Sequence, residues 1–165
     1  QTLVKASRLE TGIFAMDPQV HGVQRLLDAV LIQGRHKARE RGLSLTAEPT
    51  SAQARFDEKW TAEALYNLVD NALKYTPQGG KVALSVREFE LFCAIQVEDN
   101  GPGIPEREQG AILGRFYRGE AVRDQEGLGI GLYLAREVVT REGGYIRLNS
   151  SPGQGSRFSL YLPKE

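Results

Sequence analysis

Two stretches of apolar–polar alternation arrive as pairs, and this pairing narrows the possible folds more than any other feature of the chain. Val82, Leu84 and Val86 alternate with polar neighbours, as do Leu91, Cys93, Ile95 and Val97 after a short turn around Glu88 to Glu90. Ile146/Leu148 and Phe158/Leu160/Leu162 repeat the pattern around Pro152-Gly153. Each pair predicts a hairpin. Elsewhere the apolar spacing is helical. One helix is expected from about Val20 to Arg41, where Gly42 stops it; a second runs from an N-cap at Asp57 to Tyr75 and ends at Pro77-Gln78-Gly79-Gly80; a third spans Gly131 to Arg141, closed by Gly143-Gly144. Leu43 to Thr46 and Ala54 to Phe56, flanking Pro49, are expected to form a short antiparallel pair. Strands that come mainly in antiparallel pairs, with helices amphipathic on one side, imply an α/β two-layer sandwich. Its sheet is mixed, largely antiparallel and covered on one face by helices. A doubly wound parallel sheet is disfavoured.

At 165 residues the chain is long enough for one core without disulfides or a structural metal. Leu3, Val4 and Leu9 lie in what reads as the end of a helix over residues 1–12, closed by Thr11-Gly12; residues 13–18 are expected as a linker and 19–165 as the folded domain. The single Cys93 fits a reducing compartment, Gln1-Thr2-Leu3-Val4-Lys5 does not read as a signal peptide, and there is no run of 18 apolar residues. The expected setting is cytoplasmic, with no membrane contact by this chain, although a longer parent could carry a membrane anchor. With 21 basic and 21 acidic residues the net charge is zero, and the arginines are dispersed rather than striped with aromatics, so nucleic-acid binding has little support.

The second helix carries a chemical face. At about 100° per residue, with Asn71 at zero, Asn67 lies near −40°, Lys74 near −60°, Glu63 near −80° and Asp70 near −100°; the apolar Leu65, Leu68, Val69, Ala72 and Leu73 gather on the other side. Asparagine is a poor helix former, so two of them one turn apart need a reason. They either bond a neighbouring loop or offer amide oxygens to a hard cation such as Mg²⁺, which shares its shell with substrate phosphates. Val97 to Ile104 places Asp99 at the end of a buried strand, directly before Gly101-Pro102-Gly103. That aspartate either shapes the turn or, as an acceptor-only group in an apolar pocket, selects a donor such as the amino group of adenine. Gly127-Leu128-Gly129-Ile130-Gly131-Leu132 precedes the third helix and suits an anion, yet it matches neither the dinucleotide fingerprint nor a P-loop. Eight of the 18 glycines fall between Gly101 and Gly131. The segment Pro105 to Glu126, with Arg115-Phe116-Tyr117-Arg118, is too long for an ordinary connection and reads as a lid.

Taken in order, Glu63 to Pro77, Asp99 to Ile104, Arg115 to Arg118 and Gly127 to Leu132, followed by Gly143-Gly144 and Gly155-Ser156-Arg157-Phe158, resemble the catalytic ATP-binding domain of bacterial sensor histidine kinases. These form a branch of the gyrase, heat-shock chaperone, histidine kinase and mismatch-repair ATPase superfamily. The resemblance is strong over about 57–163 and thin over 20–50, and residues 1–12, with Ser7-Arg8-Leu9-Glu10-Thr11-Gly12, resemble the tail of the family's dimerisation helix. It implies the Bergerat fold, binding of ATP with Mg²⁺, and transfer of the γ-phosphoryl group to a histidine on a separate dimerisation and phosphotransfer domain. A homodimeric full-length protein and a response regulator are the implied partners, in two-component signalling.

Carried over by residue, the resemblance makes Asn71 the magnesium ligand and Asp99 the acceptor for adenine N6. Asn67 and Lys74 would line the phosphate end, and Tyr75 and Ile104 the base. Gly101, Gly103, Gly127, Gly129 and Gly131 would flank and hinge the lid, with Leu132 and Ser156 also at the cofactor, and Arg115 or Arg118 would meet the γ-phosphate. Leu113-Gly114 departs from the family's usual aromatic two residues before the first lid arginine. His21 precedes Gly22 and His36 precedes Lys37, unlike the phosphoaccepting histidine, which an acid follows. The chain is therefore expected to bind nucleotide without phosphorylating itself. A hydrolase of the superfamily is the alternative, although such enzymes carry a glutamate where this chain has Asn67; steady ATP turnover lost in Glu63→Gln would favour it. A nucleotide-binding module without transfer is the third reading.

Overall fold

A computed structural model describes residues 15–113 and 129–165. The strands and helices follow in the order β1 (Gln19–Gly22), α1 (Gln24–Glu40), β2 (Ser44–Ala47), β3 (Gln53–Phe56), α2 (Glu58–Tyr75), β4 (Lys81–Glu88), β5 (Phe92–Asp99), α3 (Glu106–Leu113), α4 (Gly129–Arg141), β6 (Tyr145–Ser150) and β7 (Ser156–Pro163). Five strands form a mixed sheet in the order β2-β4-β5-β7-β6, in which only β2–β4 is parallel. Helices lie against one face, so the expected two-layer architecture holds. Both predicted hairpins are present, β4–β5 and β6–β7. Tyr145 stacks on its cross-strand partner Tyr161 with ring centroids 4.4 Å apart, which helps hold the register of the second.

Two expectations near the start of the chain need correction. The first helix begins at Gln24 rather than Val20, because residues 19–22 are β1. Nor do the segments around Pro49 pair with each other. β2 lies parallel to β4, while β3 runs antiparallel to β1 in a separate two-stranded sheet. Glu48 N–H still bonds Leu84 O, but Pro49 has no N–H to carry the pairing on, so the chain leaves the sheet there. At the other end of α1 the reading holds: Gly42, at φ 66°, stops the helix. A third difference is that residues 106–113, expected within the lid, form the short helix α3; residues 114–126 of that segment and residues 1–14 lie outside the described residues.

The core lies between the sheet and the helices. Val82, Leu84, Ile95, Val97, Leu160 and Leu162 from the sheet meet Leu65, Leu68, Val69 and Leu73 of α2, all fully or almost fully buried. α2 is central, packed against both α1 and α4. Asp57 caps it as expected, accepting from Trp60 N–H at 2.8 Å, and its other oxygen accepts from Asp17 N–H. Cys93 is wholly buried in this core, and burial pushes its thiol up to about 11.

Glu142, just past α4, is a buried acid that the sequence reading missed. It is 3% exposed, and its Oε2 accepts from Asp57 N–H at 2.7 Å and from the Thr61 hydroxyl at 2.6 Å, while Oε1 has no partner. Burial pushes its carboxyl up to about 7 from an ordinary 4.5; the charge of Asp57 adds to this and Arg55 opposes it. The fold thus prefers the protonated form: the stability this group contributes is complete below its unfolded value near 4.5 and is lost as pH rises through about 7. Gln keeps the acceptor and removes the charge. Glu142→Gln should therefore stabilise the chain at pH 8 by about 1–2 kcal/mol and have little effect at pH 5, read as the pH dependence of the difference in Tm.

Candidate functional site

Asp99 and Asn71 line one cavity of about 200 Å³. Its base is formed where β5 and β7 end and begin side by side, at Asp99, Ser156 and Phe158; α2 supplies Asn71, Ala72 and Tyr75, and the turn after β5 supplies Pro102 to Pro105, with Glu108 of α3 beside them. The apolar side chains give a flat base or ring a dry surface, and few polar groups interrupt them.

Pairing in the sheet fixes Asp99. It is in register with Ser156 across β5–β7, and its Oδ1 accepts from Gly101 N–H at 2.9 Å. Burial raises its carboxyl above the ordinary value of 3.8, and backbone N–H groups of Gly101 and Ser156 pull in the opposite direction. Two donors leave the carboxylate with acceptor capacity to spare. The backbone turns on either side interlock. Gly103 has φ 77°, and a Cβ there would meet Ser151 O at 2.2 Å; Gly155 has φ 84°, and a Cβ there would meet Asp99 O at 2.0 Å. No other residue fits at Gly155 without moving the strand that carries Asp99, nor at Gly103 without moving the turn after β6.

The α2 side is polar and incompletely satisfied. Asn71 is 3% exposed, and among the described residues the buried side-chain atoms without a partner include Asn71 Nδ2, Asn67 Nδ2 and Thr76 Oγ1, all on α2 or its C-cap. A buried amide left unpaired costs free energy, and a site that takes a ligand is one place where that cost persists. An amide without an internal partner can also turn its oxygen toward a cation. No group of three His, Cys, Asp or Glu among the described residues could hold a metal ion by itself, so a cation beside Asn71 would complete its shell with ligand oxygens and water. The donor set fits a magnesium ion shared with phosphates.

The expected residues do not all meet at the cavity. Asn71, Tyr75, Asp99, Gly103, Ile104 and Ser156 line the cavity. Gly101 is buried beneath it and holds Asp99. Asn67 and Lys74 lie outside the lining: Gly131 of α4 packs against Asn67, and Lys74 Nζ is 3.4 Å from Asp70 Oδ2. Leu132 is fully buried in the hydrophobic core, outside the cavity lining. Gly129 opens α4, and Arg115, Arg118 and Gly127 lie outside the described residues. His21 packs on Phe56 and approaches Glu58, while His36 is exposed on α1 beside Glu40. Glu108, Pro102, Pro105 and Phe158 complete the cavity without having been anticipated. Only Phe158 carried a usable signal, as an inward-facing position in an alternating strand; it lies opposite Val97, two residues before Asp99.

The family profile described as histidine kinase-, DNA gyrase B-, and HSP90-like ATPase matches residues 56–165. Sensor protein SrrB of Staphylococcus aureus is 29% identical over 165 residues, covering 98% of this chain and 28% of SrrB. The chain thus spans 28% of the length of that curated relative. The mycobacterial sensor histidine kinase MprB matches at TM-score 0.73 and 26% identity, over 89% of this chain and 97% of that one. Acinetobacter baumannii histidine kinase AdeS matches at TM-score 0.79 and 19% identity, over 99% of this chain and 76% of that one, a likeness of fold alone.

Proposed function

Since the chain belongs to the histidine kinase-, DNA gyrase B- and HSP90-like ATPase family, we propose that it is the catalytic ATP-binding domain of a sensor histidine kinase, and that it presents Mg-ATP to a histidine on a separate dimerisation domain. One observation carries this reading: an acceptor suited to adenine and an amide suited to a cation open onto the same cavity, at Asp99 and Asn71. Asp99 accepts from the exocyclic amine of adenine, which guanine lacks at that position. Tyr75, Ile104 and Phe158 enclose the ring. Asn71 holds Mg²⁺, which neutralises charge on the phosphates during transfer. Lys74 and Asn67, one turn away on either side of Asn71, face the phosphate end.

Transfer to histidine, rather than hydrolysis, follows from what stands beside the metal ligand. Asn67 is neutral and cannot take a proton from water, whereas an imidazole is already a competent nucleophile that needs positioning and charge neutralisation. The histidine and the second copy of a dimer belong to the longer protein, and a response regulator that receives the phosphoryl group is a separate partner.

The decisive experiment supplies the dimerisation hairpin of the full-length protein in trans with Mg-ATP. An acid-labile, base-stable phosphohistidine on the hairpin is expected, with no label on this chain. Mg-ATP binding without that product would reduce the chain to a nucleotide-binding module, and steady phosphate release by the chain alone would make it a hydrolase.

A further inference from the structure

We propose that Lys37 of α1, which does not line the cavity, sets how readily Lys74 reaches the phosphates of the nucleotide, by keeping paired the aspartate that both lysines share. This rests on the reading of Lys74 as a phosphate-binding residue. Lys37 Nζ is 2.5 Å from Asp70 Oδ1, and Lys74 Nζ is 3.4 Å from Asp70 Oδ2. One carboxylate thus holds two ammonium groups, one from each of two packed helices. Lys74 sits at i+4 from Asp70, so its tether is local to α2.

Exposure decides which group suffers when a pair breaks. Asp70 is 19% exposed at its side chain, against 37% for Lys37 and 38% for Lys74, so the carboxylate is the least hydrated of the three. A partly buried carboxylate that loses its only cation bears a desolvation cost; one that keeps a second cation does not. With Lys37 in place, Lys74 can leave for an anionic ligand while Asp70 stays paired. Without Lys37, the same movement strands Asp70, and its negative charge both retains Lys74 and repels the incoming phosphates.

The remaining neighbours do not replace Lys37. Tyr66 of α2 faces the pair with a phenol whose ionisation burial disfavours. Arg41, just past α1, is nearby but donates to the Lys74 carbonyl at 2.8 Å, so its guanidinium serves the end of α2. The hydrogen bond to Asp70 raises the Lys37 ammonium above its ordinary value, which leaves it charged throughout the neutral range.

The test measures affinities for adenosine and for a non-hydrolysable ATP analogue with Mg²⁺, in wild type, Lys37→Met, Asp70→Asn and the double variant, with thermal melts to verify folding. Lys37→Met should weaken the analogue about 3–10-fold and leave adenosine unchanged. Asp70→Asn should bind the analogue at least as tightly as wild type, and adding it to Lys37→Met should restore the lost affinity, a coupling that independent sites would not show. The proposal is overturned if Lys37→Met leaves the ratio of the two affinities unchanged, or if Asp70→Asn alone weakens the analogue, which would make Asp70 a guide for Lys74 rather than a restraint. Failure of wild type to bind adenosine at all would instead overturn the nucleotide reading, and this proposal with it.

Discussion

Asp99→Asn should cost about 100-fold in affinity for ATP and erase the preference for adenine over guanine nucleotides. The wild-type carboxylate is acceptor only, and a hydrogen bond to a charged group in a dry pocket contributes about 1.5–3 kcal/mol, or roughly 10- to 150-fold. An amide can present NH₂ to the adenine amine, donor against donor, so the loss falls on adenine. Folding should survive, because burial already disfavours the charge on Asp99 and a neutral residue relieves that penalty. Competition titrations with ATP and GTP, with Tm as a control, read both effects. The sign with pH is also set. Since the carboxyl lies above its ordinary 3.8, acidification protonates it earlier than it would an exposed aspartate, and ATP affinity should fall in that range. The Asn variant should show no such fall. An unchanged ATP-to-GTP ratio in Asp99→Asn would end the assignment.

Asn71→Ala should remove the dependence of nucleotide binding on Mg²⁺. Mutating a partner that only orients a metal ligand typically costs 10- to 100-fold in metal affinity or activity, so deleting the ligand itself should cost phosphotransfer at least about 100-fold. Adenosine carries no phosphate and should bind the variant as well as it binds wild type. This contrast separates loss of the cation from collapse of the cavity. Removal of the unpaired Asn71 Nδ2 from its buried position also argues that the variant will fold. The check is a matrix of ATP analogue and adenosine, each with Mg²⁺ and with EDTA. Retained magnesium dependence in Asn71→Ala would move the metal site elsewhere.

What could be read from the chain alone follows the range of the interactions involved. The chemical and apolar faces of α2 obey a period of 3.6 residues, so Asn67, Asn71 and the buried Leu65, Leu68 and Leu73 sort without tertiary information. Asp99 was legible because alternation along β5 ends at a glycine turn, and both hairpins were legible because their strands are neighbours in sequence. β2 was not: its partner β4 lies beyond β3 and α2, and a four-residue strand gives no signal of which neighbour it chooses. The burial of Leu132, in the first turn of α4, was hidden in the sequence by the glycines on either side of it. Glu142 and Lys37 owe their roles to contacts between helices far apart in the chain, with Thr61 and Asp70, and a surface-like composition hides both.

The state of Cys93 has a practical consequence for these measurements. It is the only thiol in the chain, it is sealed in the core, and it ionises only at about 11, so alkylating reagents at neutral pH will find almost no thiolate to attack. The wild-type chain is therefore a blank background for labelling. A cysteine introduced as Glu90→Cys, in the exposed turn at the far end of β5 from Asp99, would carry a fluorophore on its own, and the dye could follow titrations without touching the cavity it reports on.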